Sequence, residues 1–303
     1  MQSNSTTDET SCQYVCSRGL LKHCSNRSLT PISSIDNIIN QDLSKLKDGD
    51  TLYICSNSLS CFVVHHLPNI NTKFILLSGD SDNQVPSGSL TAENFIRLLT
   101  NKYLIVWFSQ NLVYSPKDFP KLQYLPIGLD YHTIAENDMW WGPRSSPLIQ
   151  ESLLLAVAKK GKPLNERIPI AYTTFHFILN RGDRQKAYDE ISKDLVYYEP
   201  ERTSRLVSWK RQIEHAFVLS PPGAGYDCHR TWEALCLGCI PIMISTPLDE
   251  LFEGLPVLIV NSWRDITWEL LNNTISEYSK KEFCMDKLKM SYWLDKINSY
   301  KNM

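Results

Sequence analysis

Residues 217–244 read FVLSPPGAGYDCHRTWEALCLGCIPIMI, and they contain an apolar run, a turn rich in Pro and Gly, a helical pattern and a second apolar run. This order is typical of a β-strand, a tight turn, a helix and the next parallel strand. Prolines end the first strand, and Gly223 and Gly225 let the backbone turn closely. We expect Asp227 to cap the helix that follows. The segment therefore predicts an α/β unit.

Short apolar runs also alternate with helical or polar stretches on either side of this unit. The rhythm predicts parallel sheets, because parallel strands need a crossover between them. It breaks in an aromatic, turn-rich stretch at residues 130–147 and then restarts. We therefore predict three segments: a polar, partly disordered N-terminal segment (1–48), a first Rossmann-like domain (49–150) and a second one that ends in helices (151–303).

The composition is that of a globular protein: 303 residues, 43% apolar and 21% charged. With 31 Lys and Arg against 33 Asp and Glu, the net charge of -2 provides no broad basic field for a nucleic acid. No apolar run approaches the roughly 20 residues that cross a bilayer, so we expect no membrane insertion. Residues 1–12 look like a disordered lead-in rather than a secretory signal, and the nine cysteines fit free thiols in the cytoplasm.

The start of the predicted helix suits a diphosphate. Unpaired backbone N–H groups and the positive end of the helix dipole point above the strand ends. His229 and Arg230 add donors and charge in the first turn, and Glu233 can accept hydrogen bonds from the hydroxyls of a ribose. The competing interpretation is a plain ion pair of Arg230 and Glu233 on one helix face.

The glycines of the turn also suggest a dinucleotide-binding motif. Cys228 stands where the third glycine of that motif belongs, and the turn lies late in the chain. A dehydrogenase is therefore disfavoured. We expect the turn of Pro222, Gly223 and Gly225 to hold a diphosphate instead.

The segment 217–244 resembles the C-terminal half of the exostosin-like glycosyltransferases, family 47, and particularly a cytosolic branch related to ribitol-phosphate xylosyltransferases. The similarity extends to four shorter motifs: LSGDSD (77–82), WFSQN (107–111), LPIGLDYHT (125–133) and NRGDR (180–184). The resemblance implies the α/β arrangement called GT-B, in which two Rossmann-like domains face each other across a cleft. It also implies an inverting transfer of a sugar from a UDP-sugar, which the C-terminal domain binds.

By position, the resemblance implies that Arg181, Arg184, Arg230 and Glu233 belong to the donor site. Its other implications are UDP-xylose as the first donor and a glycan hydroxyl as acceptor. Because the arginines and the helix start can neutralise departing UDP, we expect no metal requirement, and we expect no bound cofactor. The exostosins themselves are Golgi enzymes, so the soluble ectodomain of a Golgi enzyme is the alternative to a cytoplasmic protein. The oligomeric state stays open, as does a sugar- or nucleotide-binding module without turnover.

Asp80 and Asp82 follow the apolar run 74–78, so their carboxylates should emerge at the C-terminal end of a strand, where α/β sheets place ligands. Asp80 is our first candidate for the general base that deprotonates the acceptor. The alternative is a GT-A-like transferase, in which both carboxylates hold a divalent ion against the diphosphate. A third interpretation makes them plain turn formers.

Asp130 and His132 follow another predicted strand, so they should lie on the same rim of the cleft. His132 is the second candidate for the base. Gln110 and Asn111 end the strand at residues 104–108 and can hydrogen-bond sugar hydroxyls.

Overall fold

The computed structural model of the chain describes residues 9–27 and 43–301. Within these ranges two parallel sheets follow one another along the chain. The first sheet contains β1 (Asp50–Cys55), β2 (Phe74–Gly79), β3 (Leu104–Ser109) and β4 (Leu122–Tyr124). The second contains β5 (Ile168–Thr173), β6 (Val196–Tyr198), β7 (His215–Leu219), β8 (Ile240–Ile244) and β9 (Leu258–Val260).

Helices connect these strands, and local capping explains where several of them begin. Thr91 accepts a hydrogen bond from the Asn94 N–H at the start of one helix, and Ser146 does the same for the Ile149 N–H in another. No helix in the described ranges combines the length and apolar character needed to span a bilayer. The helices are α1 (Ser17–His23), α2 (Leu59–Cys61), α3 (Ala92–Leu99), α4 (His132–Glu136), α5 (Pro147–Ala158), α6 (Arg184–Glu190), α7 (Arg205–Gln212), α8 (His229–Cys236), α9 (Trp268–Tyr278) and α10 (Met290–Asn298).

Strand order places a crevice in the second sheet. The first sheet runs in chain order, β1-β2-β3-β4, whereas the second has the order β6-β5-β7-β8-β9. After β5 the chain crosses to β6 on one side of β5, and it later returns to form β7 on the other side. The loops that follow β5 and β7 therefore lead in opposite directions. Such a switch point opens a ligand crevice at the carboxyl ends of the strands. The predicted fold class, α/β with two Rossmann-like domains in the GT-B arrangement, is confirmed.

The N-terminal segment is partly folded. Glu9–Ser11 form a short helical turn that buries Glu9 and Cys12, although we expected a disordered lead-in over residues 1–12. An ion pair with Lys22 compensates the buried charge of Glu9. The rest of the expected lead-in, residues 1–8, lies outside the described residues, as do residues 28–42 of the predicted N-terminal segment.

Helix α10 packs against the first domain although it lies at the end of the predicted second one. The ring of Tyr300, just after α10, meets Phe108 of β3 edge to face, with 5.7 Å between the ring centroids. Helix α5 in turn continues across the predicted boundary at residue 150. Helices therefore connect the two predicted domains. Their packing fixes the positions of the two sheets relative to each other.

The two domains meet at Asp227. Its carboxylate accepts hydrogen bonds from the Ile127 N–H of the first domain and from the Trp232 indole of α8, both at 2.7 Å. Its own N–H donates to Asn111 Oδ1 at 3.0 Å. Burial raises the pKa of Asp227 to about 6, even though these bonds favour the charged form.

Asp227 does not cap helix α8, contrary to our expectation. The helix begins at His229, and Cys228 stands at the cap position without a side-chain hydrogen bond. The carboxylate of Asp227 finds its donors on the other domain and farther along the helix, so it is not available to the first turn. The residue that the sequence suggested as a helix cap is a connection between domains.

Replacing Asp227 tests this connection. Asp227→Asn keeps the size of the side chain but exchanges one accepting oxygen for an NH₂ group, so one buried donor loses its partner. We expect the free energy of unfolding at pH 7 to fall by about 1.5–3 kcal/mol, the range for a hydrogen bond to a charged group, as measured by urea denaturation. Asp118→Asn, at an exposed aspartate, is the matched control and should stay within about 0.5 kcal/mol. Unchanged stability of Asp227→Asn would show that the junction does not depend on this carboxylate.

Candidate functional site

A cavity of about 530 Å³ opens at the carboxyl ends of β5 and β7, where the strand order places the crevice. We call it the large cavity. Phe175 and Phe177 line it from the loop after β5, and Arg230 lines it from α8. Trp140 and Trp141, which precede α5, form part of the opposite wall. The large cavity therefore lies between the two domains.

Four arginines of the large cavity have no carboxylate partner among the described residues: Arg181, Arg184, Arg202 and Arg230. Arg184 donates to the carbonyl oxygen of Ile178 at 3.2 Å, and Arg230 donates to that of Pro221 at 3.1 Å. The buried Nε of Arg184 has no hydrogen-bond partner in the described part of the chain. Burial and the neighbouring arginines lower the pKa of Arg184 to about 10. Such a group of uncompensated guanidiniums suits a ligand that carries several negative charges.

Glu233 lines the same cavity, but both of its oxygens already accept hydrogen bonds. Oε1 accepts from Arg205, with 3.0 Å to Nε, and Oε2 accepts from the Trp209 indole at 3.1 Å. Arg205 also donates to the backbone oxygen of Asp130 in the first domain at 2.6 Å. Glu233 thus fixes an arginine that bridges the domains, and it does not form the alternative ion pair with Arg230. Its contact with a ribose stays a prediction.

The glycine-rich turn contributes packing rather than a cavity wall. Gly182, at a φ of 53°, lies against the turn so closely that a Cβ there would be 2.2 Å from the oxygen of Gly223 and 2.5 Å from that of Pro222. A Cβ on Gly225 would lie 2.9 Å from the Asn111 side chain of the other domain. None of the residues that line the large cavity comes from this turn. The arginines beside the turn, and not the predicted turn itself, face the cavity.

A second cavity, of about 180 Å³, lies at the carboxyl ends of β2, β3 and β4. We call it the small cavity. It contains both of our candidates for the base, Asp80 and His132, together with Ser17 and Arg18 of α1. His229 lines the large and the small cavity, so the two adjoin at this residue.

Asp80 is engaged by α1. It adopts a φ of 55°, and its Oδ1 accepts a hydrogen bond from Ser17 Oγ at 3.0 Å. Its Oδ2 pairs with Arg18 Nη1 at 3.2 Å, and only 7% of the Asp80 side chain is exposed. Asp82 is exposed and lines the same cavity. A divalent ion would therefore compete with Arg18 for Asp80.

His132 has the arrangement of a general base. Its Nδ1 lies 3.2 Å from Asp130 Oδ1, and this oxygen also accepts the Thr133 N–H at 3.0 Å. Burial lowers the pKa of His132, so the ring is neutral at pH 7. Burial by itself would raise the pKa of Asp130, but the neighbouring histidines and Arg205 outweigh it and lower that pKa to about 2. An ionised carboxylate thus orients a neutral imidazole and leaves the Nε2 lone pair for a substrate hydroxyl.

Sequence reasoning missed Arg18 and Arg205. Arg18 lies in the segment expected to be partly disordered, and Arg205 lies in the first turn of a helix with an ordinary charged pattern. Their roles come from partners far away in the chain, for which a local pattern gives no signal. Gln110, which we expected to hydrogen-bond sugar hydroxyls, lines the small cavity and accepts the Asp80 N–H at 3.0 Å. Asn111, for which we had the same expectation, lines neither cavity and accepts the Asp227 N–H at 3.0 Å.

No family model matches the chain, and neither does any curated protein. A solved structure of a UDP-forming α,α-trehalose-phosphate synthase from Burkholderia xenovorans, in complex with glucose-6-phosphate, is similar over 88% of this chain and 75% of that chain, with 11% identity and a TM-score of 0.40. An apo structure of OtsA matches over 88% and 74%, with 12% identity and a TM-score of 0.37. A trehalose-6-phosphate structure from E. coli with bound UDP-2-fluoro glucose matches over the same shares, with 12% identity and a TM-score of 0.36. The resemblance to the exostosin-like family stays a prediction.

The unpaired arginines predict that the large cavity binds a polyanion even when the polyanion carries no nucleoside. We expect inorganic pyrophosphate to bind, and Arg184→Gln to weaken that binding by about 1.5–3 kcal/mol, the range for hydrogen bonds to charged groups. Isothermal calorimetry measures both affinities. Arg264→Gln is the control, because Arg264 is 76% exposed and lines neither of these cavities. An Arg184→Gln variant that binds pyrophosphate as tightly as the wild type would contradict the assignment.

Proposed function

We propose that the protein is an inverting glycosyltransferase that moves a sugar from a UDP-sugar to a hydroxyl of a glycan acceptor. One observation carries the proposal: a cavity with four uncompensated arginines adjoins a cavity that holds an oriented, neutral imidazole. A UDP-sugar brings a diphosphate for the arginines, and inverting transfer needs one base on the acceptor side. The unpaired arginines belong to the second domain and the imidazole of His132 to the first, and His229 lines both cavities.

The donor occupies the large cavity in this proposal. Arg181, Arg184 and Arg230 bind the diphosphate and neutralise the charge that grows on departing UDP, which positioned cations do without a metal ion. The ribose lies near Glu233, because a carboxylate has about four lone-pair sites and the bonds from its protein donors leave room for a hydroxyl. The sugar then points toward His229 and the small cavity.

The acceptor occupies the small cavity, and His132 is the group that takes its proton. The acceptor oxygen attacks C1 of the sugar as its proton moves to His132 Nε2. The bond between C1 and the β-phosphate oxygen breaks with its electron pair, and UDP leaves as an anion. Asp130 stabilises the imidazolium that forms. Asp80 was our first candidate, but its contacts with Ser17 and Arg18 favour His132.

The sugar itself is proposed from the resemblance alone. UDP-xylose comes first, followed by UDP-glucuronate, UDP-galactose and UDP-N-acetylglucosamine. Discrimination between such donors rests on contacts worth about 1–3 kcal/mol, which no motif displays.

Release of UDP tests the proposal against its two rivals. We expect release from at least one of the four donors, and faster release when acceptors are added. A non-catalytic module would bind UDP without any release in the presence of acceptor. A metal-dependent transferase that uses Asp80 and Asp82 would release UDP only with a divalent ion.

The cationic donor site predicts that transfer does not need a metal ion. We expect the rate of UDP release with donor and acceptor to be unchanged in excess EDTA. Arg18 supports this expectation, since a guanidinium beside Asp80 competes with a divalent ion for the carboxylate. Loss of activity in EDTA that manganese restores would favour the GT-A-like alternative.

Substitution of His132 tests the base. His132→Gln keeps a donor for Asp130 but has no basic nitrogen, so turnover should fall by about 10²–10⁴-fold while UDP affinity stays. Asp80→Asn is the matched comparison and should raise the acceptor KM more than it lowers kcat. The reverse ranking, with Asp80→Asn inactive and His132→Gln active, would make Asp80 the base.

The pH profile gives a second readout of the same group. The base must be unprotonated, and burial lowers the pKa of His132 below the ordinary value of about 6.5. We therefore expect kcat/KM to be constant near neutral pH and to fall on acidification only below pH of about 6.5. An acidic limb that begins above that value would contradict a buried, neutral His132.

A further inference from the structure

The two adjoining cavities differ in their charge, and this difference restricts what can enter the small one. The large cavity presents Arg181, Arg184 and Arg230 without carboxylate partners among the described residues. In the small cavity the single lining arginine is Arg18, and Asp80 already pairs with it at 3.2 Å. One cavity thus offers net positive charge, whereas the other holds a neutralised pair.

The pair of Arg18 and Asp80 is closed to solvent. The two side chains are only 9% and 7% exposed, so little water screens their attraction. Asp82 lines the same cavity and adds a second carboxylate. His132 adds no compensating charge, because burial lowers its pKa. A phosphate or carboxylate in the small cavity would therefore meet the negative charge of Asp82 and no uncommitted cation.

The hydrogen-bonding groups of the small cavity suit hydroxyls instead. The buried Nε of Arg18 has no hydrogen-bond partner among the described residues. A hydroxyl can accept a hydrogen bond from Arg18 and donate one to a carboxylate at the same time, which an anion cannot do. A neighbouring hydroxyl on the same molecule can then donate to His132 Nε2. Two adjacent hydroxyls thus match the arginine–carboxylate pair on one side and the base on the other.

We propose that the acceptor group bound in the small cavity is an uncharged polyol, either a sugar ring or an alditol with two adjacent hydroxyls. Its phosphorylated and carboxylated counterparts bind poorly there. The inference rests on the proposed function, because it takes the small cavity as the acceptor site. It goes further by excluding charged acceptor groups, which the motifs of the sequence do not address.

Calorimetry on the wild-type protein saturated with UDP tests the inference. The probes are matched pairs: glucose with glucose 6-phosphate, ribitol with ribitol 5-phosphate, and glucose with glucuronate. We expect the neutral member to bind at least about tenfold more tightly, since like charges placed side by side at a binding surface are strongly unfavourable. Tighter binding of the charged members, or no binding of any neutral member, would overturn the inference. UDP binding is measured first, and its failure would count against the proposed function instead.

Removing the negative charge of the pair should change the preference. Asp80→Asn leaves Arg18 as an unpaired cation, and asparagine tolerates the positive φ at this position. We expect the ratio of neutral to charged affinity to shift toward the charged probes by at least about tenfold. Asp118→Asn makes the same change of net charge at an exposed residue outside both cavities and should leave the ratio unchanged.

A folded Asp80→Asn protein with the wild-type ratio would show that the ion pair does not set the selectivity, and the inference would be wrong. A thermal melt shows whether the variant is folded. If it is not, the wild-type ratios decide the question by themselves.

Discussion

A buried carboxylate between the domains sets the geometry on which the site depends. Asp227 accepts hydrogen bonds from Ile127, in the loop after β4, and from Trp232, in helix α8. That loop leads to His132, and the helix begins with His229. The carboxylate therefore holds His132 of one domain beside the arginines of the other. The cavities adjoin because the two elements cannot separate without breaking these buried hydrogen bonds.

The distribution of charge fits the transfer reaction that we propose. Arg184 and Arg230, which line the large cavity, donate only to carbonyl oxygens, which is an unfavourable arrangement for an empty protein and a favourable one for a diphosphate. Two other arginines are held in place by carboxylates: Arg205 pairs with Glu233, and Arg18 pairs with Asp80. The paired arginines thus stabilise the fold, and the unpaired ones line the cavity that we propose to bind the diphosphate.

Local patterns predicted the fold well and the site in part. Alternating apolar runs and a glycine-rich turn are short-range signals, and the parallel sheets follow from them. The resemblance brought Arg181 and Arg184 into consideration, and the structure places both in the large cavity. The role of Asp227 as a connection between the domains could not be predicted, because its partner Ile127 lies 100 residues away in the sequence and only the folded chain brings the two together. The same reason applies to Arg18, whose partner Asp80 belongs to another segment.

In the function that we propose, the arginine wall of the large cavity binds the diphosphate of a UDP-sugar. A crystal structure of the protein with bound UDP can show this binding. We expect the diphosphate within hydrogen-bonding distance of Arg184 and Arg230, with the ribose near Glu233 and the β-phosphate directed toward His229. UDP bound outside this cavity, or a diphosphate held through a metal ion by Asp80 and Asp82, would contradict it.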